Sequence, residues 1–190
     1  MGERGVGVDH STLNRWVIKY APEFEKSFRR RQCPVGRSWR LDETYVKIKG
    51  KSAYLYRAVD KDGHTIDFLL TPTRDRDAAE AFLRKAILTQ GLPEKITIDK
   101  SGANTAAIKH YNKTHKTAII IRHAKYLNNV EQDYRAVKRL THPMLGFKSF
   151  WAACCTIAGM EVMHAIRKGQ LNRTGGVQPT PAEQFYSLAA

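Results

Sequence analysis

Cysteine is rare in this chain, and its apolar runs are short. The cysteines are Cys33, Cys154 and Cys155. They show neither the spacing of a disulfide framework nor, with the histidines, that of a zinc site, so we expect neither of these, and we expect a reducing compartment. The charge-free apolar stretch at 149–160 is too short to span a bilayer. No charged-then-apolar signal segment opens the chain. We therefore expect neither secretion nor membrane insertion.

Acidic residues are also scarce. Eighteen Asp and Glu stand against thirty-two Lys and Arg, which leaves a formal net charge of +14 and a pI near 9.9. A field of that sign attracts polyanions, so nucleic acid is the first expected partner and an anionic membrane surface the second. Low-complexity tracts and internal repeats are lacking as well. Hydrophobic residues make up 42% of the chain, which excludes wholesale disorder.

One change in composition divides the chain. The basic run 29–31 meets Pro34 and Gly36, a pattern typical of a linker. We predict an N-terminal piece over residues 1–35 and a main domain over residues 36–190. The basic run could be a plain solvated face, but in a chain of this charge we favour DNA contact.

The N-terminal piece contains an amphipathic pattern. Leu13, Trp16, Val17 and Tyr20 recur at helical spacing, which predicts a helix that begins near Ser11 and ends before a proline at position 22. A short, charged helical stretch follows over 23–31. Four apolar residues cannot make a stable unit alone, so this piece either docks on the main domain or belongs to something larger.

The main domain alternates between strand and helix patterns. Three runs with period two and intervening turns predict an antiparallel meander at 39–48, 52–59 and 64–70. Further patterns predict helices near 75–90, 103–112, 130–140 and 149–168, and strands at 95–98 and 117–122. The last strand is rich in Ile, which favours a position at the centre of the sheet. Periodicity alone indicates a mixed α/β fold.

Three acids stand where propensity would not put them. Asp42 interrupts the first strand, although Asp is depleted in strands. Asp99 follows 96–98, at the carboxyl end of a strand, where open α/β sheets place ligand sites. Glu131 begins a predicted helix that also carries Arg135 and Lys138 on the same side. A solvated strand-end carboxylate is the alternative for each Asp, and a Glu131–Arg135 helix pair is the alternative for the third acid.

Together these blocks resemble the DDE transposases of bacterial insertion sequences, most closely the insertion-sequence-six family. Asp42 stands in WRLDETYVKIKG, Asp99 in ITIDKSGAN and Glu131 in KYLNNVEQDYRAVK. The resemblance implies a ribonuclease-H-like fold, with a mixed five-stranded sheet and flanking helices. It also implies that Asp42, Asp99 and Glu131 are the catalytic and metal-binding triad, with Lys138 as the basic residue after the glutamate.

The implied chemistry is metal-dependent DNA cleavage and strand transfer. Two Mg²⁺ (or Mn²⁺) ions held by carboxylates suit in-line attack at phosphorus. Arg135 and Lys138 would contact DNA phosphates. The expected partners are element ends and target DNA, with a homo-oligomer assembled on the DNA, no membrane, and a cytoplasmic, nucleoid-associated location. A stand-alone Mg²⁺ nuclease would need the same triad without strand transfer.

Two departures from the family pattern leave an alternative open. Thirty-one residues separate Asp99 from Glu131, fewer than the resemblance leads us to expect. Residues 5–16 resemble the turn and recognition helix of a helix-turn-helix that lacks its first helix, with Asn14 and Arg15 suited to reading base edges. The chain is therefore expected to be N-terminally truncated, and the alternative function is a catalytically inactive DNA-binding remnant.

Overall fold

The computed structural model describes residues 7–125, 127, 134–135, 138–139, 146–171 and 179–188. The helices and strands whose bounds lie within those residues are, in chain order, α1 (His10–Arg31), β1 (Ser38–Ile48), β2 (Lys51–Asp60), β3 (Thr65–Thr71), α2 (Arg76–Gln90), β4 (Lys95–Ile98), α3 (Gly102–His115), β5 (Ile120–His123), α4 (Phe150–Arg167) and α5 (Pro181–Ser187). Within the described residues, no helix is both long and apolar enough to cross a membrane.

The chain forms two compact units. One comprises Pro34–Phe147, and the other joins the segment up to residue 33 with the segment from residue 148 onward. The first boundary lies beside the linker predicted from composition. Helices α4 and α5 group with α1, however, whereas the division by composition assigns them to the domain with the sheet. The division into residues 1–35 and 36–190 as functional domains stays a prediction.

The sheet of the first unit has the strand order β3-β2-β1-β4-β5. β1, β2 and β3 pair antiparallel, and β4 and β5 continue the sheet in parallel with β1. The predicted mixed five-stranded sheet is therefore confirmed. The predicted central position of the Ile-rich strand is wrong, because β5 is an edge strand. Ile119, just before β5, is buried, whereas Ile120 at the start of β5 is 62% exposed.

The core of this unit lies between one sheet face and the helices α2 and α3. Trp39 and Leu41 of β1 belong to the same buried cluster as Phe82 of α2 and Ile108 of α3. Successive strand residues point to opposite faces. Asp42 therefore projects from the face of β1 opposite to this core.

The second unit is built on the packing of α1 against α4. Phe28 shares a buried cluster with Val162 and Ile166. A Cβ added at Gly159 would lie 3.3 Å from the Cβ of Ala21, so the two helices approach closely there.

The prediction that Pro22 ends the first helix is wrong. α1 continues through Pro22 to Arg31 as one helix of 22 residues. The proline removes one backbone donor, but the buried contacts of Ala21 and Phe28 on either side hold the helix together. The predicted apolar face is not the buried one, since Trp16, Val17 and Tyr20 are exposed.

Candidate active site

The sheet register brings Asp42 and Asp99 together. β1 and β4 pair in parallel, with Arg40 opposite Thr97. Continuing that register by two residues sets Asp42 opposite Asp99, on strands about 4.8 Å apart. Both residues are half-buried, so solvent reaches them. From this register we expect the two carboxylates to lie side by side at the carboxyl end of β4.

Asp99 is oriented by its own loop and by the neighbouring strand. Its Oδ1 accepts a hydrogen bond of 2.8 Å from the backbone N–H of Ser101. Its backbone carbonyl lies 3.1 Å from Nδ1 of His123 at the end of β5, which donates when that nitrogen carries the proton. The N–H of Ala124 donates to the carbonyl of Ile98 at 2.9 Å. The edge strand therefore fixes the backbone that carries the carboxylate.

Tyr134, a helical residue, contacts the strand that carries Asp42. Its side chain is buried, and its hydroxyl lies 2.5 Å from the carbonyl oxygen of Asp42 and 3.1 Å from that of Leu55. One hydroxyl proton is shared between two acceptors. Glu131 lies outside the described residues, so its part in the triad stays a prediction. In the sequence it precedes Tyr134 by three residues, about one helical turn in the predicted helix.

The two basic residues predicted beside the triad are exposed and helical. The Nζ of Lys138 lies 5.8 Å from the centre of the Tyr45 ring, a cation–π contact. Tyr45 is three residues beyond Asp42 on β1, about 10 Å along the strand, and its side chain points to the opposite face. Lys138 therefore stands beside the strand that carries the first aspartate. The side chain of Arg135 is exposed.

Sequence reasoning missed a polar network on the other face of β1. Glu43, whose side chain is 3% exposed, accepts hydrogen bonds from Nε of Arg74 at 2.5 Å and Nδ2 of Asn104 at 2.8 Å. Burial lowers the pKa of Arg74, but the charge of Glu43, its hydrogen bond and the charge of Asp99 outweigh burial and raise it. Burial and the negative charge of Glu43 raise the pKa of Tyr56 to about 12.

This network could have been suspected from one signal. Glu43 follows Asp42 in a strand of period two, so it must point toward the core that Leu41 enters. A buried carboxylate needs a cationic or hydrogen-bonding partner. The identity of the partners, Arg74 and Asn104, could not be inferred, because they are 31 and 61 residues away.

A second carboxylate cluster lies elsewhere on the sheet. Among the described residues, Asp60, Asp62 and His64 form the one group whose ligand atoms all lie within 4.8 Å of one another. Oδ1 of Asp60 accepts from the N–H groups of Asp62 and His64, and Oδ2 accepts from that of Gly36, each at 2.9 Å. Its oxygens already serve the backbone, and we interpret the cluster as structural.

The remaining predicted DNA contacts belong to α1, in the other unit. Asn14 and Arg15 are exposed, and Arg15 donates to Oγ1 of Thr12 at 3.1 Å. In the basic run, Arg29 pairs with Glu25 at 2.6 Å, and Arg31 donates to the carbonyl of Ser187 at 2.6 Å. These two arginines contribute to packing within their unit.

Comparison with known proteins gives consistent matches. A family model described as a DDE domain matches residues 36–170. The chain is 40% identical over 169 residues to the transposase for insertion sequence-like element IS431mec of Staphylococcus aureus strain Mu50, covering 87% of this chain and 74% of that protein. It is also 40% identical over 168 residues to the Staphylococcus aureus transposase for insertion sequence element IS257 in transposon Tn4003, covering 87% and 73%.

Solved structures share the fold at lower identity. The magnesium complex of the HTLV-2 integrase catalytic core domain, in its dimeric form, matches with a TM-score of 0.54 and 16% identity, over 80% of this chain and 97% of that one. A chain of the simian T-cell lymphotropic virus intasome, in complex with the PP2A regulatory subunit B56 gamma, matches with a TM-score of 0.53 and 20% identity, over 82% of this chain and 56% of that one. These likenesses confirm the predicted ribonuclease-H-like fold.

Proposed function

Since this chain belongs to the DDE transposases of bacterial insertion sequences, we propose that it cuts and joins DNA at the carboxyl end of β4, beside Asp42 and Asp99, with Glu131 as the third catalytic residue. The observation that supports this assignment is the β1–β4 register, which pairs Arg40 with Thr97 and, if continued by two residues, would set Asp42 opposite Asp99. The family resemblance adds Glu131.

The donor set fits a hard divalent cation. Asp42 and Asp99 offer carboxylate oxygens, the ligands that Mg²⁺ and Mn²⁺ prefer, and Glu131 would complete the set. When bound, such ions stabilise negative charge on the attacking and leaving oxygens of an in-line displacement at phosphorus. The protein contributes orientation: Ser101 and His123 hold Asp99, and the Tyr134 hydroxyl contacts the backbone of Asp42.

The DNA partners follow from the same assignment. We propose that Lys138 and Arg135 neutralise phosphates near the reacting bond, and that Asn14 and Arg15 on α1 read base edges at the element ends. The complete reaction would bring element ends and target DNA together in a homo-oligomer. Its place would be the cytoplasm, at the nucleoid.

The test is strand joining with a pre-cut substrate. A labelled duplex from the DNA flanking the reading frame, with a free 3′-hydroxyl end, is incubated with plasmid target and Mg²⁺ or Mn²⁺. Asp42→Asn, Asp99→Asn and Glu131→Gln should each abolish joining while leaving duplex binding largely intact. Asp62→Asn, which changes an exposed carboxylate of the structural cluster, is the matched control and should join normally.

Each other outcome has a distinct meaning. Near-normal joining by any of the three variants would refute its place in the triad. Cleavage of uncut ends without joining would favour the nuclease. Duplex binding with neither reaction would favour the inactive remnant.

A further inference from the structure

The β1–β2 hairpin extends well past the two aspartates. β4 ends at Ile98, just before Asp99, whereas β1 continues six residues beyond Asp42 to Ile48, about 20 Å along the strand. On the other side, the last residue of β3 pairs with Tyr54. Residues 46–53, which we call the lysine hairpin, therefore project beyond both neighbouring strands.

The lysine hairpin carries a concentration of exposed positive charge. Lys47, Lys49 and Lys51 are all exposed. Within the described part of the chain, no carboxylate forms an ion pair with any of the three. Lys47 shares a face of β1 with the 60% exposed Tyr45, over which Lys138 lies. Lys51 pairs with Ile48 across the hairpin and therefore lies on the face opposite to Lys47. Positive charge thus surrounds the hairpin tip on both of its faces.

The backbone of the hairpin is held in place. Phe147 pairs alongside Ile48, accepting from the N–H of Lys49 at 2.8 Å and donating to the carbonyl of Lys47 at 2.9 Å. Gly146, with φ of 94°, lies so close that a Cβ there would be 2.9 Å from that carbonyl. The lysines therefore stand on a fixed scaffold rather than on a loose loop.

Lys49 is an unfavourable residue type for its position in the hairpin turn. Lys49 and Gly50 have φ of 49° and 76°, the left-handed pair of a two-residue hairpin turn. Asn, Asp and Gly suit the first of these positions better than Lys. A lysine that is disfavoured by the local backbone indicates that its charge serves another purpose.

We propose that the lysine hairpin is a DNA-binding arm that grips the phosphates of a duplex several base pairs from the reacting bond. This inference rests on the proposed function of Asp42 and Asp99. Lys47 and Lys49 lie about 17 and 24 Å from Asp42 along the strand. A duplex rises about 3.4 Å per base pair and is stiff over this length. The contacts would therefore fall roughly five to seven base pairs from that bond.

The test compares two triple variants of equal charge. Lys47→Gln with Lys49→Asn and Lys51→Gln removes the arm's charge. The matched control, Lys109→Gln with Lys113→Gln and Lys116→Asn, changes three exposed lysines of α3 and its cap. Lys116 has φ of 53°, so each variant also replaces one left-handed lysine by Asn. The C-terminal end of α3 leads into β5 at the amino ends of the parallel strands, away from the hairpin tip.

Binding of a fluorescein-labelled 30-base-pair duplex is followed by anisotropy at several NaCl concentrations. The hairpin variant should lose about tenfold or more in affinity at 100 mM salt. Its slope of log K against log salt should fall by nearly three, because each phosphate that is no longer neutralised lowers the slope by about 0.9. The control variant should stay within about twofold of the parent. The single variant Lys49→Asn should lose about one unit of slope while its melting temperature is unchanged or higher, which separates weaker DNA binding from a folding defect.

Several results would overturn the proposal. They are an unchanged affinity and slope in the hairpin variant, equal losses in both triple variants, or no duplex binding by the parent chain. The Asp42→Asn variant distinguishes a failure of this proposal from a failure of the proposed function. It should lose strand joining but keep the parental DNA affinity and salt slope. Hairpin-dependent binding without any strand joining would refute the catalytic assignment and leave the arm in place.

Discussion

The buried carboxylate of Asp60 connects two segments of the backbone by hydrogen bonds. It is 1% exposed and joins the β2–β3 turn to the segment that enters β1, through the N–H groups of Asp62, His64 and Gly36. Burial raises its pKa, but hydrogen bonds from the backbone of Gly36 and His64 and the nearby imidazole outweigh burial and hold that pKa below its ordinary value. The ionised form is thus favoured by folding.

We therefore expect Asp60→Asn to lower the free energy of unfolding by about 1–3 kcal/mol at pH 7. A pKa depressed by folding adds stability that is fully present above the unfolded pKa and is lost as pH falls through the folded one. The difference in melting temperature between parent and variant should therefore be largest at neutral pH and shrink below about pH 4. Asp62→Asn, exposed and nearby, is the control. A difference that grows in acid would contradict the assignment.

At the same scale, the sequence indicates some candidate site residues and gives no sign of the contacts around them. Asp42 and Asp99 stand out because their residue type conflicts with a strand interior or marks a strand end. The hydrogen bond from Tyr134 to the Asp42 carbonyl spans 92 positions, and that from Asn104 to Glu43 spans 61. Local periodicity holds no information about partners that distant.

Elements follow from the sequence wherever local signals agree. β4 begins and ends at the predicted residues, and β1 begins one residue early, since period-two alternation and turn residues coincide there. β5 is recognisable as a strand from its sequence. Its edge position follows from the fact that it pairs with β4 on one side only. An apolar strand has the same local pattern at an edge or at the centre, and tertiary pairing decides between them.

Helix α1 gives a test of the same competition between local and tertiary forces. Pro22 cannot donate to the carbonyl of Ile18 and is disfavoured inside a helix by about 3 kcal/mol. The packing of Ala21 and Phe28 keeps the helix continuous. Pro22→Ala should therefore restore the backbone donor and raise the free energy of unfolding by about 1–3 kcal/mol, which is measured as a higher melting temperature. Pro181→Ala removes a proline from the first turn of α5, where it is favourable, and should not stabilise. A loss of stability in Pro22→Ala would mean that contacts of the ring outweigh the missing hydrogen bond.

At the scale of the whole molecule, a net charge of +14 makes attraction to DNA inevitable and sequence preference a separate question. The two compact units carry the two kinds of candidate contact. Arg135 and Lys138 belong to the unit with the sheet and the aspartates, whereas Asn14 and Arg15 belong to the unit built on α1 and α4. Phosphate contacts act on every sequence alike, and base-edge contacts act on some sequences only.

Replacing the two sets of residues should therefore weaken DNA binding in different ways. Arg135→Ala with Lys138→Ala should weaken binding of element-end and scrambled duplexes by the same factor and reduce the salt slope by nearly two. Asn14→Ala with Arg15→Ala should narrow the gap between the two duplexes, by about 1–3 kcal/mol for each base edge that is no longer read, and reduce the slope by at most about one. The measurement is a competition titration of both duplexes at one fixed salt concentration, repeated across a salt series for the slopes. Equal loss on both duplexes in the α1 variant would show that Asn14 and Arg15 contact phosphates rather than bases. A change in discrimination between the two duplexes in the Arg135 and Lys138 variant would place base readout beside the strand that carries Asp42 instead.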